Sequence, residues 1–140
     1  MTSIVDATDA EAQAVCASLQ AFNHRAVGVI RFTPIHLVAK GADGELVGGL
    51  VAEVALGWLE IHVLWVDDAE RGRGLGSALL ETCERRAREL GAHSARLDTF
   101  DWQAEAFYGR HGYRCFARLP GYPDAHERIF MSKTLRGDVA

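Results

Sequence analysis

The run Glu70-Arg71-Gly72-Arg73-Gly74-Leu75-Gly76-Ser77 puts three glycines and two arginines into six residues, at the mouth of a stretch that reads as a helix. The chemistry of such a run is anion binding. A helix N-terminus leaves its first backbone N–H groups without intrahelical partners and turns the positive end of its dipole outward. Glycine at 72, 74 and 76 lets the backbone approach a ligand with no Cβ in the way. The spacing is G-x-G-x-G, without a ribose-binding acid at the dinucleotide distance, and no Gly-Lys-Ser/Thr follows as in a phosphate-binding P-loop. Taken alone, these residues suit a glycine-rich turn with solvated arginines as well as an anion cradle.

Two further groups of residues can move protons. Upstream, Glu60 and His62 alternate on a predicted strand and would share a face with Trp58 and Leu64. A carboxylate partly buried beside Trp58 would be raised toward neutrality and serve as a general base, and His62 would serve on its intrinsic pKa. The alternative is that the two satisfy each other or face water. Glu53, on the neighbouring strand, reads rather as a cross-strand or surface charge. Downstream, the segment LDTFDWQAEAFYGRHGY (97–113) carries Asp101 and Tyr108. Tyr108 reads from its surroundings as a core aromatic beside Phe107. Asp101 can cap the helix that follows, and when ionised it accepts hydrogen bonds without donating. The loop 119–127, with Tyr122 and His126, either walls a pocket or merely joins two strands.

The elements that must position these groups follow from periodicity. Thr8 and Glu11 form a capping box ahead of Ala12, Val15, Cys16, Leu19 and Phe22, which predicts a helix from about Thr8 to Ala21. Residues 24–33 read as loop or short strand. Ile35–Lys40 and Leu46–Ala55 read as a hairpin joined by Gly41-Ala42-Asp43-Gly44. Trp58–Val66 is apolar at nearly every position, as in a strand buried on both faces. The helix Leu75–Leu90 places Leu75, Leu79, Leu80, Cys83, Ala87 and Leu90 inward and Glu81, Glu84, Arg85, Arg88 and Glu89 outward, with Gly91 as its stop. A short strand Ala95–Thr99, a short helix Trp102–His111 and a strand pair, Tyr113–Ala117 with Arg128–Lys133, complete the pattern. It predicts an α/β (α+β) fold: a single-layer mixed, mostly antiparallel sheet of about six to seven strands with helices on both faces.

Length and composition bound the function. The 140 residues suit one domain over 1–140, and an apolar fraction of 49% is that of a globular protein. A net charge of -4 argues against general nucleic-acid binding and suits a cationic partner. Cys16, Cys83 and Cys115 are odd in number and widely spaced, which argues for reduced thiols in a cytoplasmic setting and against a zinc site. No basic region followed by an apolar run marks a signal peptide, and no stretch of about 18 apolar residues marks a membrane span.

In this context the glycine loop lies between a strand and an amphipathic helix, and the two segments together resemble the GNAT (Gcn5-related N-acetyltransferase) superfamily. Arg71-x-x-Gly74-x-Gly76 is similar to that family's Q/R-x-x-G-x-G/A loop, and Ala104-x-x-Phe107-Tyr108-x-x-x-Gly112-Tyr113 to its second motif. The resemblance covers about residues 35–135. It implies a GNAT-like acyl-CoA N-acyltransferase fold with acetyl-CoA as co-substrate and no metal. Backbone amides of Arg71, Gly72, Arg73, Gly74, Leu75, Gly76 and Ser77 would hold the CoA diphosphate, with Arg71 and Arg73 adding charge. Leu64, Trp65 and Val66 would offer main-chain groups to the pantetheine arm and the thioester carbonyl. Tyr108 aligns with the tyrosine that protonates the departing thiolate. Asp101 stands where many members carry a pantetheine-binding asparagine, a departure that leaves its binding role open. Glu60 lies eleven residues before Arg71, the offset of the catalytic glutamate in histone-type members, with His62 as the other candidate base. The expected function is acetyl transfer to a primary amine, on a small cation or a protein, by direct attack in a ternary complex. A catalytically silent acyl-CoA-binding module is the alternative. A nucleotide-phosphate-binding protein is disfavoured by the second motif. Neither nucleic acid nor membrane is an expected partner. Dimerisation is common among such proteins, although no element here declares an interface.

Overall fold

The computed structural model describes residues 1–136, which divide into two compact units, one over Met1–Arg31 and one from Phe32 onward. The first unit holds helix α1 (Asp9–Val27). Its start is the expected capping box: Glu11 N–H donates to Thr8 Oγ1 at 3.1 Å and Thr8 N–H to Glu11 Oε1 at 3.0 Å. Its end comes later than expected. The helix runs on through Asn23–Val27 until Gly28, at φ 85°, turns the chain and donates to His24 O. Val15, Leu19 and Phe22 lie exposed along α1, which has no buried residue.

The second unit runs β1 (Thr33–Lys40), β2 (Leu46–Ala55), β3 (Trp58–Val66), a 3₁₀ turn (Asp68–Glu70), α2 (Leu75–Glu89), β4 (Ser94–Phe100), α3 (Glu105–Arg110), β5 (Arg114–Pro120) and β6 (Glu127–Thr134). The six strands form one sheet in the order β1-β2-β3-β4-β6-β5. Every pairing is antiparallel except that of β3 with β4, which the α2 crossover joins in parallel. Leu50, Leu59, Leu80, Cys83 and Ile129 are the largest fully buried side chains. The apolar stripe of α2, with Phe107 and Tyr108 of α3, joins this core on one face of the sheet. Within this unit α2 packs against β1, β2 and β3. Among the described residues no helix is long and apolar enough to cross a membrane.

Three burial expectations are corrected. β3 is not buried on both faces: Trp58 is 37%, Val63 50% and Trp65 47% exposed. Its continuous apolar run therefore reflects one core face and one open apolar face. Leu64 does not share a face with Glu60. A bulge at His62, where the register passes from Val51↔Val63 to Ala52↔Ile61, flips the strand and turns Leu64 into the core. On α2, Leu90 is 47% exposed, whereas Glu84 is only 3% exposed. Glu84 is drawn in by partners that lie far away in sequence. Tyr113 Oη donates to its Oε2 at 2.7 Å and Lys133 Nζ to its Oε1 at 2.8 Å.

This buried carboxylate is tolerated because a cation and a hydroxyl satisfy it. Truncating Lys133 to Met should therefore destabilise the fold by about 3–5 kcal/mol, by leaving the charge uncompensated. Tyr113→Phe should cost about 1–3 kcal/mol. Denaturant unfolding reads both, and a Lys133→Met midpoint equal to that of the wild type would show that the ion pair holds nothing together.

Candidate active site

The site begins where two strands part. β3 and β4 pair from Trp58↔Ser94 to Ile61↔Leu97 and no further. Beyond that point β3 stays with β2 as far as Val66↔Gly48, and β4 stays with β6 as far as Phe100↔Arg128. The sheet thus opens into a V, with Leu64, Trp65 and Val66 on one arm and Asp98–Phe100 on the other. Between the arms, the inner edge of β3 has no strand partner among the described residues.

The glycine loop closes the β3 arm. Gly72 (φ 80°) and Gly74 (φ 81°, ψ 8°) both take the left-handed conformation that glycine adopts without Cβ strain. The first intrahelical bond in α2 is Ala78 N–H to Gly74 O at 3.0 Å, so the amides of Leu75, Gly76 and Ser77 point free at the helix mouth. No acidic residue occupies that first turn. Both arginines are tied within the loop. Arg71 Nε donates to Val66 O at 3.3 Å and its Nη1 lies 3.0 Å from Asp68, while Arg73 sits 3.9 Å from Glu70. Arg71 thereby fastens the loop to the end of β3.

α3 reaches the same point. A Cβ on Gly76 would lie 3.4 Å from Phe107 Cζ and 3.7 Å from Val66 Cγ2, so helix mouth, strand end and α3 converge there. Ser77 Oγ and His111 Nε2 share a hydrogen bond of 2.8 Å that locks α2 to α3. Beside Phe107, Tyr108 is buried, its ring packed edge-on against Phe107 and Tyr113, and burial pushes its phenol up to about 12.

The candidate bases gather on the face away from α2. Glu53 and Glu60 are register partners, and His62 reaches both, at 3.3 Å and 4.0 Å. Arg96, which the sequence did not single out, sits 2.8 Å from Glu60, because the parallel register sets it directly opposite. Glu60 is therefore ion-paired and about one third exposed, rather than enclosed beside Trp58. Glu53, Trp58, Glu60 and Arg96 line a cavity of about 230 Å³. The ligand atoms of Glu53, Glu60 and His62 lie within 4.8 Å of one another, although Arg96 already brings a cation to this group.

Asp101 does not cap α3, whose N-cap is Ala104 with no side-chain bond. Its carboxylate instead accepts from His126 Nδ1 at 2.8 Å and from Glu127 N–H at 3.0 Å, latching the β5–β6 connection to the end of β4. Burial works to raise this carboxyl, but the bonds from His126 and Glu127 outweigh it and leave the group below the usual range. Both partners lie more than twenty residues downstream, and no local pattern announces them.

The chain matches the model of the acetyltransferase (GNAT) family over residues 7–113. It belongs to the GNAT acetyltransferase family. A blasticidin-S acetyltransferase of Streptomyces morookaense is 45% identical over 103 residues, which is 71% of this chain and 76% of that one. An acetyltransferase of Bacillus cereus, solved by crystallography, superimposes with a TM-score of 0.86 at 29% identity, covering 95% of this chain and 97% of its own. An aminoglycoside 6′-N-acetyltransferase solved with coenzyme A shares the fold, with a TM-score of 0.64 at 22% identity over 73% of each chain. As a GNAT acetyltransferase, the chain has the mixed, mostly antiparallel sheet expected from its motifs, and the similarities lend no support to a silent module.

Cys83 takes no covalent part in this arrangement. Burial, and then the neighbouring Glu84, push its thiol up to about 12, and it is fully enclosed in the core. Iodoacetamide should therefore alkylate the exposed Cys16 and Cys115 of the native GNAT protein and reach Cys83 only after unfolding. Mass spectrometry of the modified peptides checks this, and rapid native labelling of Cys83 would refute its burial.

Proposed function

We propose that this acetyltransferase moves an acetyl group from acetyl-CoA to a primary amine by direct attack in a ternary complex. The observation that carries the proposal is the parting of β3 and β4 beside an uncapped, acid-free helix N-terminus. The amides of residues 71–77 take the diphosphate, and Arg71 holds the loop in position as much as it adds charge. The pantetheine arm enters the V along Leu64, Trp65 and Val66. A main-chain N–H on that arm meets the thioester carbonyl as it becomes an oxyanion. The family match at 7–113 runs through both units, which supports one acetyltransferase domain over 1–140. Reduced thiols and a net charge of -4 fit work in the cytoplasm without a nucleic-acid partner.

The proton steps follow from the two sides of the sheet. The acceptor amine loses its proton to Glu60 or His62, directly or through water, and attacks the thioester carbon. As the C–S bond breaks, the CoA thiolate is met by the Tyr108 hydroxyl. A phenol at about 12 is a weaker acid than a thiol near 8.5, so complete transfer is uphill and a hydrogen bond to the departing sulfur is the minimum contribution. Similarity to a blasticidin-S acetyltransferase makes blasticidin S the first acceptor to assay in a panel of cationic amines.

CoA thiol release from acetyl-CoA over that panel tests the reaction, and release with no amine at all would remove the proposal. Tyr108→Phe should lower kcat by about 10²-fold with little change in the KM for acetyl-CoA. Because the phenol keeps its proton up to about pH 12, activity should not fall through loss of this donor between pH 7 and 10. Glu60→Gln should abolish or displace the acid limb of the kcat–pH profile if Glu60 is the base. An unaltered limb assigns the role to His62 or water.

A further inference from the structure

One feature on the acceptor side is larger than proton transfer requires. On the face away from α2, β4 presents Arg96, Asp98 and Phe100 in alternation, while Ala95, Leu97 and Thr99 point into the core. Immediately beyond, Trp102 stacks flat on Phe100, with centroids 4.5 Å apart and planes 10° apart, yet Trp102 remains 52% exposed. One indole face is therefore packed against Phe100, while about half of the residue stays exposed. His126 meets Trp102 edge-on at 5.0 Å, and Tyr122 tilts against Phe100 at 5.8 Å.

This shelf is held rigidly. Gln103 Oε1 accepts from Phe100 N–H at 3.0 Å and from Thr99 Oγ1 at 2.9 Å, and Asp101 N–H donates to Glu127 O at 3.1 Å. Asp101 then fixes His126. Arg128 lies within 5.8 Å of the Phe100 centroid, but its charge is taken up by Asp98 at 2.8 Å. The opposite arm of the V carries Trp65, 47% exposed on the same face. At the closed end, Glu53 and Glu60 carry two negative charges against the single guanidinium of Arg96. From the Arg96 register to Phe100 is four residue steps of strand, about 13 Å.

Resting on the acetyl-transfer reading above, we infer that Trp102 is a specificity-determining residue, and that the acceptor is a small cationic amine with a planar π-bearing head group, aryl, heteroaryl or guanidine, that packs against its exposed indole surface. A flat, pre-formed aromatic surface rewards a planar group through stacking, and a guanidine also through cation–π attraction. The carboxylates at the closed end draw the cationic amine toward the thioester. A saturated head of equal length gains the second interaction and not the first.

The test pairs primary amines that differ only in the head group, 4-phenylbutylamine against 4-cyclohexylbutylamine and 3-phenylpropylamine against 3-cyclohexylpropylamine, with CoA thiol release as the readout. The wild-type enzyme should favour the planar member of each pair by about ten-fold in kcat/KM. Trp102→Leu should erase that preference by raising the KM of the planar member, without raising the KM for acetyl-CoA, and Trp102→Phe should restore most of it. Overturning results are equal use of both members by the wild type, or an equal loss on both members in Trp102→Leu, which would make Trp102 a mere support for the loop. Absence of thiol release with every amine would instead sink the acetyl-transfer reading itself.

Discussion

The site depends on a single loss of pairing. β3 and β4 run together for four residues and then each keeps a different neighbour, β2 for one and β6 for the other. A parallel pair in mid-sheet ordinarily continues its ladder, so this divergence needs a local cause. The bulge at His62 supplies one, because an extra residue bends its strand and increases the local twist at the place where β4 falls away. The same extra residue sets His62 against Glu53 and Glu60 and turns Leu64 into the core. One irregularity thus helps open the V and assembles the polar cluster at its closed end.

Around that opening, the two sheet faces have different tasks. The helix face carries the free amides at the start of α2, the arginine-braced loop and the Tyr108 hydroxyl. The other face carries Glu53, Glu60 and His62, tempered by Arg96. Separation by a sheet keeps the carboxylates away from the helix mouth, where they would repel an anion. Cys83 sits inside the core with its thiol suppressed by burial.

Local patterns were legible where the interactions are local. The Thr8–Glu11 capping box, the hairpin turn and the glycine loop each involve residues a few positions apart, and each is found where expected; of the α2 stripe, Leu79, Leu80, Cys83 and Ala87 are buried as expected and Leu90 is not. The misreadings share an opposite trait. Glu84 reads as a surface charge on α2, yet Tyr113 and Lys133, 29 and 49 residues away, take it into the core. Asp101 reads as a helix cap or a ligand acceptor, and the cap fails because its partners lie 25 and 26 residues on. The apolar run of β3 reads as doubly buried, because hydrophobicity alone does not distinguish a core face from an open apolar one.

The residue order by itself determined the fold class and the acetyltransferase family, since these rest on periodicity and on two motifs whose residues lie within one turn or one strand. It also named the residues now proposed for chemistry, Tyr108 and the Glu60–His62 pair. Only the tertiary structure decided how those residues are partnered. Arg96 meets Glu60 through a parallel register that no short-range pattern encodes. Trp102, an ordinary aromatic in the sequence, becomes half of a flat shelf because the end of β4, its turn and the β5–β6 connection are bonded into one corner. Such arrangements belong to chain segments brought together by packing, and their geometry exists only once the sheet has formed.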